Sequence, residues 1–317
     1  MGVNPSRPFD RRRVHTLEDR GLRLDPVTVD TEDGQTWDGL VLIPRRGGDP
    51  VRRRLAVIVV HGSVGNYISG VPRRVSHGLA LAGFTVFSVN TRMANFGAFF
   101  GGGLLHRTPL DLDAWVGLAR RMGHPRIVLL GYSLGATVVT HYQAQRRPEQ
   151  VVGLCTLAHP RSLPESLRRR WERFGADPDY ATVTRRARAI LGESIDDDGG
   201  ADEIFIVERA SGPTLAPTHS EIWTYRTWWH SRGPEARSAV SADWIGQVGV
   251  PLALIQAGDD MIVPPGDGEE LAAIASTAGL PDVRLESVSF ANHVFSGREH
   301  LAVDRCAAWL EDVILPQ

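Results

Sequence analysis

The sequence predicts an α/β fold: a mostly parallel sheet of eight strands with helices on both faces, interrupted once by a long, largely helical insertion. Three observations carry that prediction. Apolar runs such as Ala56-Val57-Ile58-Val59-Val60 and Ile127-Val128-Leu129-Leu130 have the continuous hydrophobicity of strands covered on both sides. The stretches between such runs repeat apolar residues with a helical period. The run at 127–130 stops at Gly131-Tyr132-Ser133-Leu134-Gly135 and an amphipathic stretch follows, the pattern of a strand turning sharply into a helix.

Taken in order, residues 1–21 read as an N-terminal arm. Two antiparallel strands follow within 22–43, joined by the turn at Glu32-Asp33-Gly34. Residues 44–54, polar and rich in glycine and proline, read as a loop before the buried strand 56–60. A helix over 71–82 closes at Gly83, and strand 85–89 comes next. Thr108-Pro109-Leu110-Asp111 reads as a helix start, with a capping hydroxyl, a first-turn proline and an acid. Leu112, Trp115, Val116, Ala119 and Met122 share one face of that helix. Strand 126–130, helix 134–145 and strand 151–157 continue the alternation, which breaks near Pro160. Residues 22–160 are therefore the first part of the core and 161–246 an inserted lid. The lid carries arginine-rich helical patterns at 167–174 and 180–191, an extended piece at 204–207 and the aromatic segment 223–229. Residues 247–317 complete the core with strand 252–257, helix 267–278, strand 283–289 and helix 298–314.

Composition narrows the function classes. The chain has 317 residues, 42% of them hydrophobic, and a net charge of -2, so no strong field favours nucleic acid or an anionic membrane. Its longest aliphatic stretch, 55–60, is far too short to span a bilayer. All basic residues are arginine, which fits the codon bias of a high-GC bacterium. Two cysteines in apolar settings, Cys155 and Cys306, read as buried free thiols, and the expectation is a cytoplasmic protein. Met1-Gly2 through Ser6 matches a loose myristoylation pattern, read as coincidence in a chain of bacterial character.

In parallel α/β sheets, ligands gather at the carboxyl ends of the strands. Three reactive residue types stand at such ends here. Ser133 follows strand 126–130, Asp259-Asp260 follows strand 252–257, and His293 follows strand 283–289. A serine hydroxyl attacks a carbonyl only when a base takes its proton, and an imidazole does so best when a carboxylate fixes its tautomer. Asp259 and Asp260 both compete for the carboxylate; the spacing to Ile262-Val263-Pro264 favours Asp260. His141 and His300 fall on helices, and His61 reads as a structural loop histidine. No pair of histidines has ligand spacing with a carboxylate, so no metal and no cofactor is expected.

With His61-Gly62 after a central strand, Gly131-Tyr132-Ser133-Leu134-Gly135, Asp260-Met261-Ile262-Val263-Pro264 and Asn292-His293-Val294-Phe295, the chain resembles the α/β-hydrolase superfamily over residues 22–160 and 247–317. The resemblance implies Ser133 as nucleophile, His293 as base and acid, and Asp260 as orienting acid. It further implies an oxyanion hole of backbone amides from Leu134 and Ser63, with Val64 as the alternative to Ser63. The expected activity is hydrolysis of a small-molecule carboxylic ester or lactone, with thioesters and amides behind it. The alternatives are an acyltransferase or carbon–carbon bond hydrolase with the same triad, and a ligand-binding protein with negligible turnover. Pocket candidates are Val64, Tyr132, His159, Phe99 and Phe100 from the glycine-rich loop, and the lid tryptophans Trp223, Trp228 and Trp229. Arg92, after strand 85–89, is weighed as a partner for a substrate carboxylate, with a structural salt bridge favoured.

Overall fold

The computed structural model describes residues 21–45, 49–63, 65–95, 103–195, 201–209 and 219–316. Eight strands form one sheet: β1 (Leu22–Asp30), β2 (Thr36–Pro44), β3 (Leu55–Val60), β4 (Thr85–Val89), β5 (Arg126–Tyr132), β6 (Val151–Leu157), and the last two, which follow a long excursion. Three short strands within that excursion, β7 (Ala176–Asp177), β8 (Ile204–Arg209) and β9 (His219–Thr224), make a separate antiparallel sheet. The main sheet then ends with β10 (Leu252–Ala257) and β11 (Val283–Val288). Its order is β1-β2-β4-β3-β5-β6-β10-β11, and β2 runs antiparallel to both of its neighbours while the remaining pairs are parallel.

Strand β3 shows why the apolar runs are continuous. Ala56, Ile58 and Val60 pack into one core and Leu55, Val57 and Val59 into another, because successive side chains of a strand face opposite ways. The first core is closed by α3 (Thr108–Arg121), α4 (Leu134–Arg146) and α9 (Pro265–Thr277), through residues such as Trp115, Val138 and Leu271. The second is closed by α2 (Gly70–Leu81) and α10 (Glu299–Trp309), through Val75, Leu79 and Trp309. Helices on both faces cover the central strands along their length.

Some local expectations differ from what the backbone does. Residues 50–54, expected as loop, form the short helix α1 (Pro50–Arg54), started by Asp49, whose carboxylate accepts the Val51 amide at 2.9 Å. Thr108 does not cap α3. A 3-10 turn at Leu105–Arg107 precedes it, and the Thr108 hydroxyl donates to the Leu105 carbonyl at 2.7 Å. Asp111 turns instead into the core, where it receives Arg92 and, at 2.9 Å, the Trp37 indole.

Between β6 and β10 lie α5 (Leu163–Phe174), α6 (Tyr180–Leu191), α7 (Tyr225–Arg232) and α8 (Ser241–Trp244), together with the β7-β8-β9 sheet. This segment has an apolar core of its own, built from Leu167, Trp171, Val183, Phe205, Val207 and Trp228, among others. Strand β8 alternates buried Phe205 and Val207 with exposed Ile204 and Ile206, the period of a strand covered on one face.

Candidate active site

The turn from β5 into α4 is tight because two backbones meet there. A Cβ on Gly131 would lie 2.3 Å from the Gly135 carbonyl oxygen, and one on Gly135 would lie 2.5 Å from the carbonyl oxygens of both Val60 and His61. With both positions free of side chains, α4 starts directly against the ends of β3 and β5. Ser133 pivots the chain with φ 52° and ψ -117°, a conformation that strains any residue with a Cβ. The amide of Leu134, first in α4, has no helical carbonyl to reach and points from the positive end of the helix.

The other strand ends bring two more groups to this point. The Ser133 hydroxyl lies 3.0 Å from His293 Nε2, and His293 Nδ1 lies 2.7 Å from Asp260 Oδ2. The second oxygen of Asp260 accepts the amides of Ile262 at 2.8 Å and Val263 at 2.9 Å. A carboxylate held in this way accepts a hydrogen bond from the Nδ1–H of a neutral imidazole, leaving Nε2 as an acceptor for the serine O–H. Asp259 is exposed and takes no part in this chain of contacts. The Tyr132 hydroxyl donates to the His293 carbonyl at 3.2 Å and steadies the histidine loop. Burial pushes the Tyr132 phenol well above its ordinary pKa, so it remains a donor.

His61 is held by its surroundings instead. The Thr91 amide can only donate, so His61 Nε2 accepts it at 3.2 Å, and Nδ1–H donates to the Gly62 carbonyl at 2.9 Å. Burial lowers its pKa to about 4. This neutral ring fixes the loop after β3, on which Ser63 stands.

Similar architectures are known. The chain matches the Pyrococcus furiosus esterase Pf2001 with a TM-score of 0.63 at 17% identity, over 98% of this chain and 97% of that one. It matches the esterase domain of a Rhodothermus marinus protein with a TM-score of 0.58 at 16% identity, over 91% and 98% of the two chains. Est1E from Butyrivibrio proteoclasticus gives a TM-score of 0.60 at 14% identity, over 91% and 98%. The chain has the α/β-hydrolase fold. No protein-family model matches it, and a search of curated proteins finds no match.

On this α/β-hydrolase scaffold, a cavity of about 380 Å³ opens over Ser133. The core contributes Ser63, Tyr132, Ser133, Ile262, Val263 and His293 to its walls; the segment between β6 and β10 contributes Leu163, Leu167 and Trp223. That same segment adds four charged residues, Arg170, Arg209, Glu221 and Arg232, which sequence reasoning missed. They come from α5, β8, β9 and α7, and no motif links them.

The other pocket candidates fall elsewhere. Trp228 and Trp229 do not line the cavity; they are buried in the core of the inserted segment, where aromatic bulk fills space between its helices and small sheet. His159 also stays out of it. It is wholly buried, its amide donates to Gln256 Oε1 at 2.8 Å, its Nδ1 lies 3.2 Å from the Thr156 hydroxyl, and burial lowers its pKa to about 3. Val64, Phe99 and Phe100 lie outside the described residues. Arg92 is a core ion pair, 2.8 Å from Asp111 and 2.9 Å from Asp33, and does not line the cavity.

Proposed function

We propose that this protein is a serine hydrolase that cleaves a small carboxylic ester or lactone through an acyl-enzyme on Ser133. The observation that carries this reading is the hydrogen-bonded chain Ser133–His293–Asp260, assembled from three separate strand ends with donor and acceptor roles in register. His293 Nε2 takes the hydroxyl proton as Ser133 Oγ attacks the substrate carbonyl, and the resulting imidazolium is stabilised by Asp260. The amides of Leu134 and Ser63 receive the developing oxyanion, each such donor lowering the barrier by about 2.7–4 kcal/mol. The imidazolium then protonates the departing alcohol. Water, deprotonated by the same ring, releases the acid and restores Ser133.

Residues 161–246 act as the lid of this site. What supports the assignment is that their side chains form the wall of the cavity facing Ser133. The similarity to esterases of Pyrococcus furiosus and Butyrivibrio proteoclasticus agrees with ester chemistry on this fold.

The test is intact-mass spectrometry after exposure to a fluorophosphonate, on the wild type and on Ser133→Ala. A single adduct on the wild type alone is expected. A folded wild type that takes no adduct, or a Ser133→Ala variant that still takes one, would overturn the assignment.

A further inference from the structure

The charged wall of the cavity is unbalanced. Among its described residues stand three guanidiniums, of Arg170, Arg209 and Arg232, against the single carboxylate of Glu221. Glu221 is already committed. Its Oε1 pairs with Arg209 Nε and lies 3.9 Å from Arg170, and its Oε2 accepts the Trp223 indole N–H at 3.1 Å. Burial works to raise the Glu221 pKa, but the two arginines outweigh it and hold it below its ordinary value.

Among the described residues, Arg232 has no counter-ion. Only 6% of it is exposed, yet its Nη2 donates to the Ser63 hydroxyl at 2.7 Å and its Nη1 to the Ser231 carbonyl at 3.1 Å, both neutral acceptors. No carboxylate comes within ion-pair distance of it among the described residues. Its guanidinium carbon sits 5.7 Å from the centre of the Trp223 ring, a contact that attracts the cation without neutralising it. Burial and the nearby Arg170 charge push its pKa down to about 10, so it remains a cation. Arg170 has Glu221 3.9 Å away as its ion-pair partner, yet its Nε is buried without a hydrogen-bond partner. Arg92 shows how the core treats a buried arginine that serves packing alone, by giving it two carboxylates.

A buried cation with neutral partners is costly in the empty site, and the cost is offset when an anion arrives. We infer that the cavity takes an ester bearing a second, free carboxylate a few bonds from the scissile carbonyl, and that Arg232, with Arg170 beside it, holds that carboxylate. The guanidinium fork suits a planar carboxylate. Glu221 on the same wall disfavours a dianion. The short spacing follows from Ser63: it receives Arg232 and shares the cavity wall with Ser133, so both ends belong to one small molecule. The inference rests on reading Ser133 as the nucleophile.

The test compares the mono-p-nitrophenyl ester of glutaric acid with p-nitrophenyl pentanoate, which has the same acyl length and no charge. Wild-type kcat/KM is expected to favour the charged ester by at least about tenfold, the value of one charged hydrogen-bond contact. That preference is expected to fade as salt rises from about 0.05 to 0.5 M. Arg232→Gln should lower the preference for the charged over the neutral ester by about tenfold or more, whatever it does to the rate on both. Arg170→Gln should move the same way, and it stands in if Arg232→Gln does not fold.

A second arm is independent of turnover: calorimetric titration of Ser133→Ala with monomethyl glutarate and with dimethyl glutarate. Tighter binding of the monoanion supports the arginine site even if the wild type hydrolyses neither ester, in which case only the nucleophile assignment fails. Equal use of the two p-nitrophenyl esters by an active wild type overturns the inference and leaves the hydrolase reading standing. Equal losses on both esters in Arg232→Gln would make Arg232 structural or an oxyanion partner and would overturn its assignment.

Discussion

The closeness of α4 to the ends of β3 and β5 can be tested with one methyl group. In Gly135→Ala, the new Cβ would lie 2.5 Å from the carbonyl oxygens of Val60 and His61, and 2.9 Å from the Val60 carbonyl carbon. These are backbone atoms of a central strand, so no side chain can swing aside. To reach even the 3.4 Å edge of ordinary contact, the backbones must part by about 0.9 Å. Forcing extra volume into a packed core costs about 1–3 kcal/mol, and the fixed position of β3 puts this site at the upper end, about 3 kcal/mol. The displaced element carries Ser133 and the Leu134 amide, while His293 and Asp260 stay on their own loops. The 3.0 Å serine–histidine contact therefore opens, and a misplacement near 1 Å lowers catalysis by about 10²-fold. Urea unfolding followed by tryptophan fluorescence measures the first quantity, and the rate of fluorophosphonate adduct formation measures the second. A variant within about 0.5 kcal/mol of wild type that labels at the wild-type rate would refute the argument that these glycines set the geometry of the turn.

Other perturbations reach separate parts of the molecule. Asp260→Asn keeps an acceptor for the amides of Ile262 and Val263 but misdirects the imidazole tautomer; kcat on p-nitrophenyl acetate should fall by about 10³–10⁴-fold with the fold intact, and a loss below about tenfold would dismiss Asp260 as the orienting acid. Tyr132→Phe removes the bond to the His293 carbonyl and should cost about 1 kcal/mol of stability, read from urea unfolding. Arg92→Met strands the buried Asp111 carboxylate and should cost about 3–5 kcal/mol in the same assay, without a change in the preference between charged and neutral esters. The buried histidines set an acid limit: His61 and His159, held neutral by burial at about 4 and about 3, bind protons more readily once unfolded, where their pKa is near 6.5. The unfolded state then carries more protons below that value, so the contribution of these two residues is constant above about pH 7.5 and falls by up to about 1.4 kcal/mol per histidine for each pH unit below 6.5. A flat profile between pH 7.5 and 5.5 would contradict this.

What could be read from the sequence follows from how local each signal is. The strands β3 and β5 announce themselves because both of their faces are buried, so Leu55 to Val60 and Ile127 to Leu130 are apolar throughout. Ser133 is legible because its two glycines answer to a steric demand within a few residues of it. Asp260 was separable from Asp259 only by spacing, and the physical basis is local too: the carboxylate bonds the amides two and three residues ahead. Strand β9 was hidden because polar Ser220 and Glu221 break the apolar alternation, and Trp223 was read together with the helix that follows. Trp228 and Trp229 misled for a related reason. Aromatic residues serve cavities and cores equally well, and a single sequence does not say which side of the segment a ring will face. The arginine wall left no trace at all, since α5, β8, β9 and α7 each contribute one member and only the tertiary fold brings them together.

That difference in locality divides the labour of the molecule. The groups proposed to break the bond stand at the sheet's strand ends, where hydrogen bonds among the loops after β5, β10 and β11 hold them together. The groups proposed to choose the substrate stand on a segment that has a core of its own and also packs against the main core through Leu163, Ala236, Ala239 and Ile245. Arg232 links the two parts through Ser63, the residue proposed to help hold the oxyanion. A bound carboxylate would draw on Arg232 and so act on the loop beside the reacting carbonyl. Its binding energy would then be expressed partly in kcat rather than wholly in KM, because an interaction that tightens the oxyanion loop works hardest when the oxyanion forms. Removing the carboxylate from a substrate should therefore lower kcat as well as raise KM, and a change confined to KM would mean that Arg232 anchors the substrate without reaching the chemistry.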